Sequence, residues 1–388
     1  MIGTNKFLQI TMRKETAFGD TEALAGDVSD GVLLRPLEEI PLDQFAKELI
    51  GDVAIKRGWD DAGLPGVQGL STARIPIVLR MTGNTRNVGA LTEDGMSKVL
   101  NWAAGTRRAP GDDAVEAGAT ATVIPLTGHT YQVWDVVMIN DEAALVVDTD
   151  TDEITIAPAL SAAPDALDDV IGMESFFITT ATTPDSVGLG VTRTGDAEWE
   201  WAGWGGMVTK VEFGEIMTGG QPELRLEVAL ANHAPAAITH SITEIPTATQ
   251  VIGAVDAGGL VMEDSGGAYF APILASASAG MGLDASYADG IGPNSVGGRA
   301  AIVLSPQDGT VATIKVLQDP ANTITTKLNA LIGSSFPLKI QINKELGQTF
   351  GIIYPDATFI KPPTASSAGN AKAVEFEIKA GTGVIFRG

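Results

Sequence analysis

Alternation of apolar and polar positions is the dominant pattern along this chain. In ELRLEVAL at 223–230, Leu224, Leu226, Val228 and Leu230 alternate with Arg225 and Glu227. In KAVEFEIKA at 372–380, Val374, Phe376 and Ile378 alternate with Glu375, Glu377 and Lys379. A period of two predicts strands with one buried face, because successive side chains of an extended chain point to opposite sides. Short apolar runs bounded by turn residues predict further strands at 6–12, 73–81, 175–181, 206–216, 299–305, 337–343 and 349–355.

Two segments switch to a helical period. At 92–104, Thr92 is the expected cap, Glu93 and Asp94 fall in the first turn, and Met96, Val99, Leu100 and Ala103 share one face before Gly105. At 319–333, Asp319 is the expected cap and Pro320 the first helical residue. Ile324, Leu328, Leu331 and Ile332 make the face, and Gly333 ends it. Each helix follows an apolar strand and precedes more strands, an order that predicts an internal duplication. The fold class expected is mainly β, with sandwich or barrel modules each flanked by a short helix.

Composition supports that class and adds a boundary. The chain has 388 residues, 44% of them hydrophobic, with 45 Gly and 20 Pro, enough for two or three cores. From Ala109 through Thr192 there is no Lys or Arg, and 130–160 reads as three short strands joined by acidic turns. A small inserted β-barrel at 118–173 is expected there, facing solvent and removable without loss of assembly. The Pro- and Thr-containing stretch at 237–250 is expected to be a linker.

Charge narrows the function. Lys and Arg total 25 against 48 Asp and Glu, a net charge of −23. Phosphate binding depends on clustered cations, so the charge argues against ordinary DNA-binding roles. Without cysteine there are no disulfides, thiolate metal sites or cysteine nucleophiles. The opening residues, with Lys6, Arg13 and Lys14, predict no secretory leader. No stretch approaches the roughly 20 apolar residues of a membrane span.

Candidate chemistry is sparse. The histidines are His129, His233 and His240, and no GxSxG elbow surrounds a serine, so no catalytic residue is assigned. His233 and His240 read as solvated linker residues, not metal ligands. Asp148, Asp150 and Asp152 alternate as in a calcium loop but lack its Gly and distal Glu, which favours a hairpin turn. The Gly-rich runs at 188–195 and 290–298 read as turns and loops. Glu198, Trp199, Glu200, Trp201 and Trp204 could meet a sugar face, but Trp and Glu alternating along a strand read better as a contact surface. No metal or cofactor site is expected.

Several segments resemble the tail tube proteins of long-tailed bacteriophages. They are RKETAFGD at 13–20 with VLLRPLEEIPLD at 32–43, GLPGVQGLSTARIPIVLRMTG at 63–83, GWGGMVTKVEFGEIMTGGQPELRLEVAL at 203–230, and GIIYPDATFIKPPTASSAGNAKAVEFEIKAGTG at 351–383. The resemblance is one of strand order and Gly and Pro punctuation over most of the chain outside 118–173. It implies a first tube-wall module at 1–117 and 174–236 and a second at 251–388. It further implies self-assembly into stacked rings, as a trimer with pseudo-six-fold symmetry or else a hexamer.

On that resemblance the protein is a structural virion component and not an enzyme. It would be made in the host bacterial cytoplasm, reside in the virion tail and contact other tail proteins. Viral DNA would pass through without specific binding, past acidic residues facing the lumen, with no membrane contact. The alternatives are a capsid or decoration protein and, from another class, a carbohydrate-binding module.

Overall fold

The computed structural model describes residues 8–20, 31–34, 36–37, 47–50, 67–71, 73–84, 86–87, 90–91, 93–179, 184–193, 199–217, 222–235, 238, 259–289, 299–306 and 309–388. The N-terminal half begins with β1 (Leu8–Lys14), β2 (Val32–Leu34), the paired β3 (Lys47–Ile50) and β4 (Val67–Ser71), and β5 (Arg74–Arg80). The short pair β6 (Arg86–Asn87) and β7 (Ala90–Leu91) precedes α1 (Gly95–Ala104) and β8 (Thr106–Arg108). Next come β9 (Asp113–Ala114), β10 (Val123–Pro125), β11 (Val136–Ile139), β12 (Glu142–Thr149), β13 (Glu153–Ala157) and β14 (Asp169–Phe177). This half ends with β15 (Val187–Arg193), β16 (Trp199–Met217), β17 (Glu223–Ala229) and β18 (Asn232–Pro235).

The C-terminal half opens with β19 (Gly259–Glu263), β20 (Tyr269–Phe270), β21 (Leu274–Gly280) and the hairpin β22 (Leu283–Asp289) and β23 (Arg299–Pro306). It continues through β24 (Ala312–Leu317), α2 (Thr323–Ala330), β25 (Phe336–Ile342) and β26 (Phe350–Phe359). β27 (Thr364–Ala368), β28 (Ala371–Lys379) and β29 (Val384–Arg387) complete it. The chain is mainly β.

Both helices start later than their patterns predict. Asp94 is the N-cap of α1, not a first-turn residue: its carboxylate accepts from the Ser97 N–H at 2.8 Å, and Ser97 Oγ accepts from the Asp94 N–H in return. Thr92 lies outside the described residues. Asn322, not Asp319, precedes α2; Asp319 and Pro320 lead into a turn in which the Asp319 carboxylate accepts from the Ile324 N–H. Gly105 ends α1 at φ 79°, in the left-handed region that glycine enters without a Cβ clash.

The same chain of antiparallel pairings occurs twice. In the N-terminal half β1 pairs with β2 and β15, β15 with β16, β16 with β17 and β18, and β17 with β5. In the C-terminal half β19 pairs with β20 and β25, β25 with β26, β26 with β28 and β29, and β28 with β24. The order along the chain is the same, and α1 and α2 occupy the same place, after β5 and β24 respectively. In each half one long strand, β16 or β26, runs from one sheet into the next. β16 turns at Gly205, φ 59°, whose N–H donates to Glu15 Oε1 at 2.7 Å.

The halves are joined, not strung side by side. β16 also pairs with β21, with Glu212 opposite Gly280 and Phe213 opposite Ala279, so one sheet runs β5–β17–β16–β21–β24–β28 across both halves. A single hydrophobic cluster extends from Ile10 to Ile385 beneath it.

Residues 113–173 enclose a separate cluster built on Val115, Ile124, Val137, Val146, Ile156 and Val170. This unit does not project freely into solvent. A second apolar set, Val136, Met138, Leu145, Met173 and Phe177, packs on Ile353, Val384 and Phe386 of the main body. Two polar side chains of β25 complete the dock. Gln341 accepts from the Ala143 N–H at 2.9 Å and donates to the Asp141 carbonyl, and Lys339 Nζ donates to the Ala143 carbonyl at 2.5 Å.

Lys339 is only 1% exposed, and burial pushes its amine down from 10.5 to about 8, against the pull of Glu142. Between those values the unfolded chain holds the proton and the folded chain does not, so this lysine makes stability rise with pH across that window. Lys339→Met is therefore expected to stabilise the protein at pH 7 by up to about 3 kcal/mol, less the lost hydrogen bond. Thermal melts of both proteins at pH 7 and pH 10 test this: the gap should shrink at pH 10, and an equal gap at both would refute the assignment.

Candidate functional face

The predicted chemistry does not converge on one place. His233 is fully buried in β18, 5.4 Å from the Trp201 ring, and is not a solvated linker residue. Trp201 itself packs against the main core. His240, Glu198 and the Gly-rich run at 290–298 lie outside the described residues, as does 237–250 apart from Ile238. The run at 188–195 is strand through Arg193 and not a turn; a Cβ at Gly190 would sit 2.6 Å from Ile238 Cγ2, so that side chain would have to shift. Asp150 and Asp152 lie in the turn between β12 and β13, where His129 Nε2 meets the Asp150 carbonyl at 2.8 Å. Among the described residues no three His, Asp or Glu side chains are grouped to hold a metal ion. No described helix is long and apolar enough to cross a membrane.

A buried ionic knot fixes the base of the 113–173 unit to the rest of the chain. Arg387, with no exposed surface, donates both Nη groups to the Asp94 carboxylate at 2.7 Å and reaches Ser97 Oγ at 2.9 Å and the Gly83 carbonyl. Glu174, equally buried, accepts from Asn84 Nδ2 at 2.9 Å and pairs with Arg107 and Arg387. Burial raises the Asp94 carboxyl, but the hydrogen bonds and charge of Arg387, with the Ser97 contacts, outweigh it and leave the group below its ordinary value. No sequence signal marks this knot, because its members lie at 84, 94, 107, 174 and 387 and meet only in three dimensions. Its geometry is structural: the charges pair with one another, although Asn84 Oδ1, Arg107 Nη2 and Arg387 Nε are buried without a hydrogen-bond partner.

The exposed feature that spans both halves is the outer face of the joined sheet. The alternation that buries Leu224, Leu226 and Val228 turns Glu223, Arg225 and Glu227 outward. Register then sets opposite charges across from one another: Arg80 faces Glu223, Arg225 faces Glu212, Lys210 faces Glu227, and Lys315 faces Glu375. Ion pairs close at 2.7 Å between Arg74 and Glu227, 2.6 Å between Lys210 and Glu212, 3.2 Å between Arg225 and Glu223, and 3.3 Å between Lys315 and Glu375. Beside them Lys361 holds Glu377 at 2.5 Å and depresses its carboxyl through that hydrogen bond. Where β16 meets β21, Ser276, Ser278 and Thr313 floor an open groove of about 330 Å³ between the two sets of charges.

No family model and no curated protein matches this chain. Fold and charge therefore carry the functional argument on their own.

Their distribution is unusual for the composition. Although the whole chain carries −23, the described ion pairs on this face match five cations, Arg74, Lys210, Arg225, Lys315 and Lys361, with five carboxylates. A uniformly acidic face is thus not what the long sheet presents. What it offers is a hydroxyl-floored, internally neutralised surface.

Proposed function

We propose that this protein is a tail tube subunit, a structural virion protein whose copies close into rings and stack around a DNA-conducting lumen. The observation that carries this reading is the repeated pairing order, with the two repeats joined edge to edge through β16 and β21. A sheet that continues from one repeat to the next within a chain can continue from chain to chain by the same geometry. Ring closure then removes the free edges that a β-rich chain otherwise exposes.

In this reading residues 1–117 with 174–236 form one wall module and 251–388 the other, and 118–173 is an inserted β-barrel carried by the first alone. Two modules per chain make a trimer the ring that reproduces six-fold geometry. The acidic excess of the chain keeps most of its surface repulsive to phosphate, which suits a conduit that other tail proteins extend and DNA only traverses.

Negative-stain microscopy of the purified protein should show rings or tubes with a central channel. Mass measurement of isolated rings should give about three times the 40.2 kDa of one chain. Rings of six chains would refute the fused-pair geometry, and a protein that stays monomeric at high concentration would refute the tube.

A further inference from the structure

We propose that Glu212, Glu223, Glu227 and Glu375 are guard residues, occupying the cations of the joined sheet face so that passing duplex DNA can touch this face without being retained. The proposal rests on the reading of this face as the lumen wall. A row of Arg and Lys on adjacent strands is, in spacing and sign, a phosphate-binding surface. Nucleic acid binds such surfaces because neutralising phosphates releases counterions. Here Arg80, Lys210, Arg225 and Lys315 each face a carboxylate by strand register, and Arg74, Lys210, Arg225 and Lys315 are paired at 2.6–3.3 Å.

A phosphate can enter only by exchanging with a carboxylate, a trade of one oxyanion for another that releases little counterion. Because these pairs lie in water, each is weak and exchanges readily. The wall is then electrostatically smooth. A purely acidic wall would hold DNA off, whereas an unguarded basic one would trap it. The groove floor of Ser276, Ser278 and Thr313 adds hydroxyls with no net charge.

The test compares the full-length protein with the E212Q/E223Q/E227Q/E375Q variant. A control variant, D113N/D148N/D152N/E153Q, makes the same charge change on the 113–173 unit. Binding of a short fluorescein-labelled duplex is followed by anisotropy between about 50 and about 200 mM salt. The face variant should bind at least about tenfold tighter than the unaltered protein, with a log–log salt slope steeper by about 3 to 4. The control should stay near the unaltered protein.

Equal gains in both variants would reduce the effect to net charge and overturn the proposal, as would no gain in either. Grids prepared from the same samples separate this from the tube reading. Rings without a gain in DNA binding sink the guards alone. A gain without rings from any of the proteins sinks the lumen and leaves the guard chemistry standing.

Discussion

Arg387→Met should destabilise the protein by about 3–5 kcal/mol, the scale for removing one side of a buried ion pair. The substitution keeps the volume of the stem but takes their shared cation from Glu174, which is fully buried, and Asp94, which is half-buried. It also strips a donor from the Gly83 carbonyl and one from Ser97 Oγ. Adding Asp94→Asn should recover part of the loss, since Asp94 is the carboxylate left without a cation, whereas Glu174 keeps Arg107. Because the Asp94 carboxyl is held below its ordinary value, the stability it contributes is present above the unfolded-state value and lost as pH falls through the folded one. The gap between the unaltered protein and R387M should therefore narrow below about pH 4. Urea unfolding at two pH values measures both, and a loss under about 1 kcal/mol at pH 7 would show that the knot is not the clamp described.

Excision of residues 113–171 is the second change with a large expected effect. Entry and exit lie side by side, since a Cβ on Gly172 would sit 2.1 Å from the Pro110 carbonyl oxygen, so a short Gly-Ser link can bridge the cut. The excised protein would nevertheless expose Phe177, Ile353, Val384 and Phe386, all now buried. At about 1.5–3 kcal/mol for each fully buried apolar side chain, the loss amounts to several kcal/mol. Rehydration of Lys339 offsets part of it. A sharply lowered melting temperature, or aggregation, is the expected outcome. A melt within a few degrees of the intact protein would mean that the dock contributes nothing.

That expectation reverses the one drawn from the sequence, and the reason lies in β25. PLKIQIN reads as a strand with a polar face at Lys339 and Gln341, yet both residues are buried because the 113–173 unit covers them. Polar residues that satisfy a neighbour's backbone cannot be told by pattern from polar residues that face water. Strands with one truly wet face were legible: β17 alternates from Glu223 to Val228 and β28 from Val374 to Lys379. α1 was legible in its apolar face and its terminal glycine, while its cap moved to Asp94, where Arg387 also needs a carboxylate. The candidate face was half legible. Its outward charges follow from the period of two, but their cross-strand partners depend on register, which that period alone leaves open to shifts of two residues.

The seam between β16 and β21 bears on how copies would come together. Both strands belong to one polypeptide, so they meet at an effective concentration set by the connecting segment, on the order of millimolar, however little protein is made. In rings of the proposed kind every second seam would form this way, before any encounter between chains. Only the remaining seams would obey mass action, and dilution would break a ring at those alone.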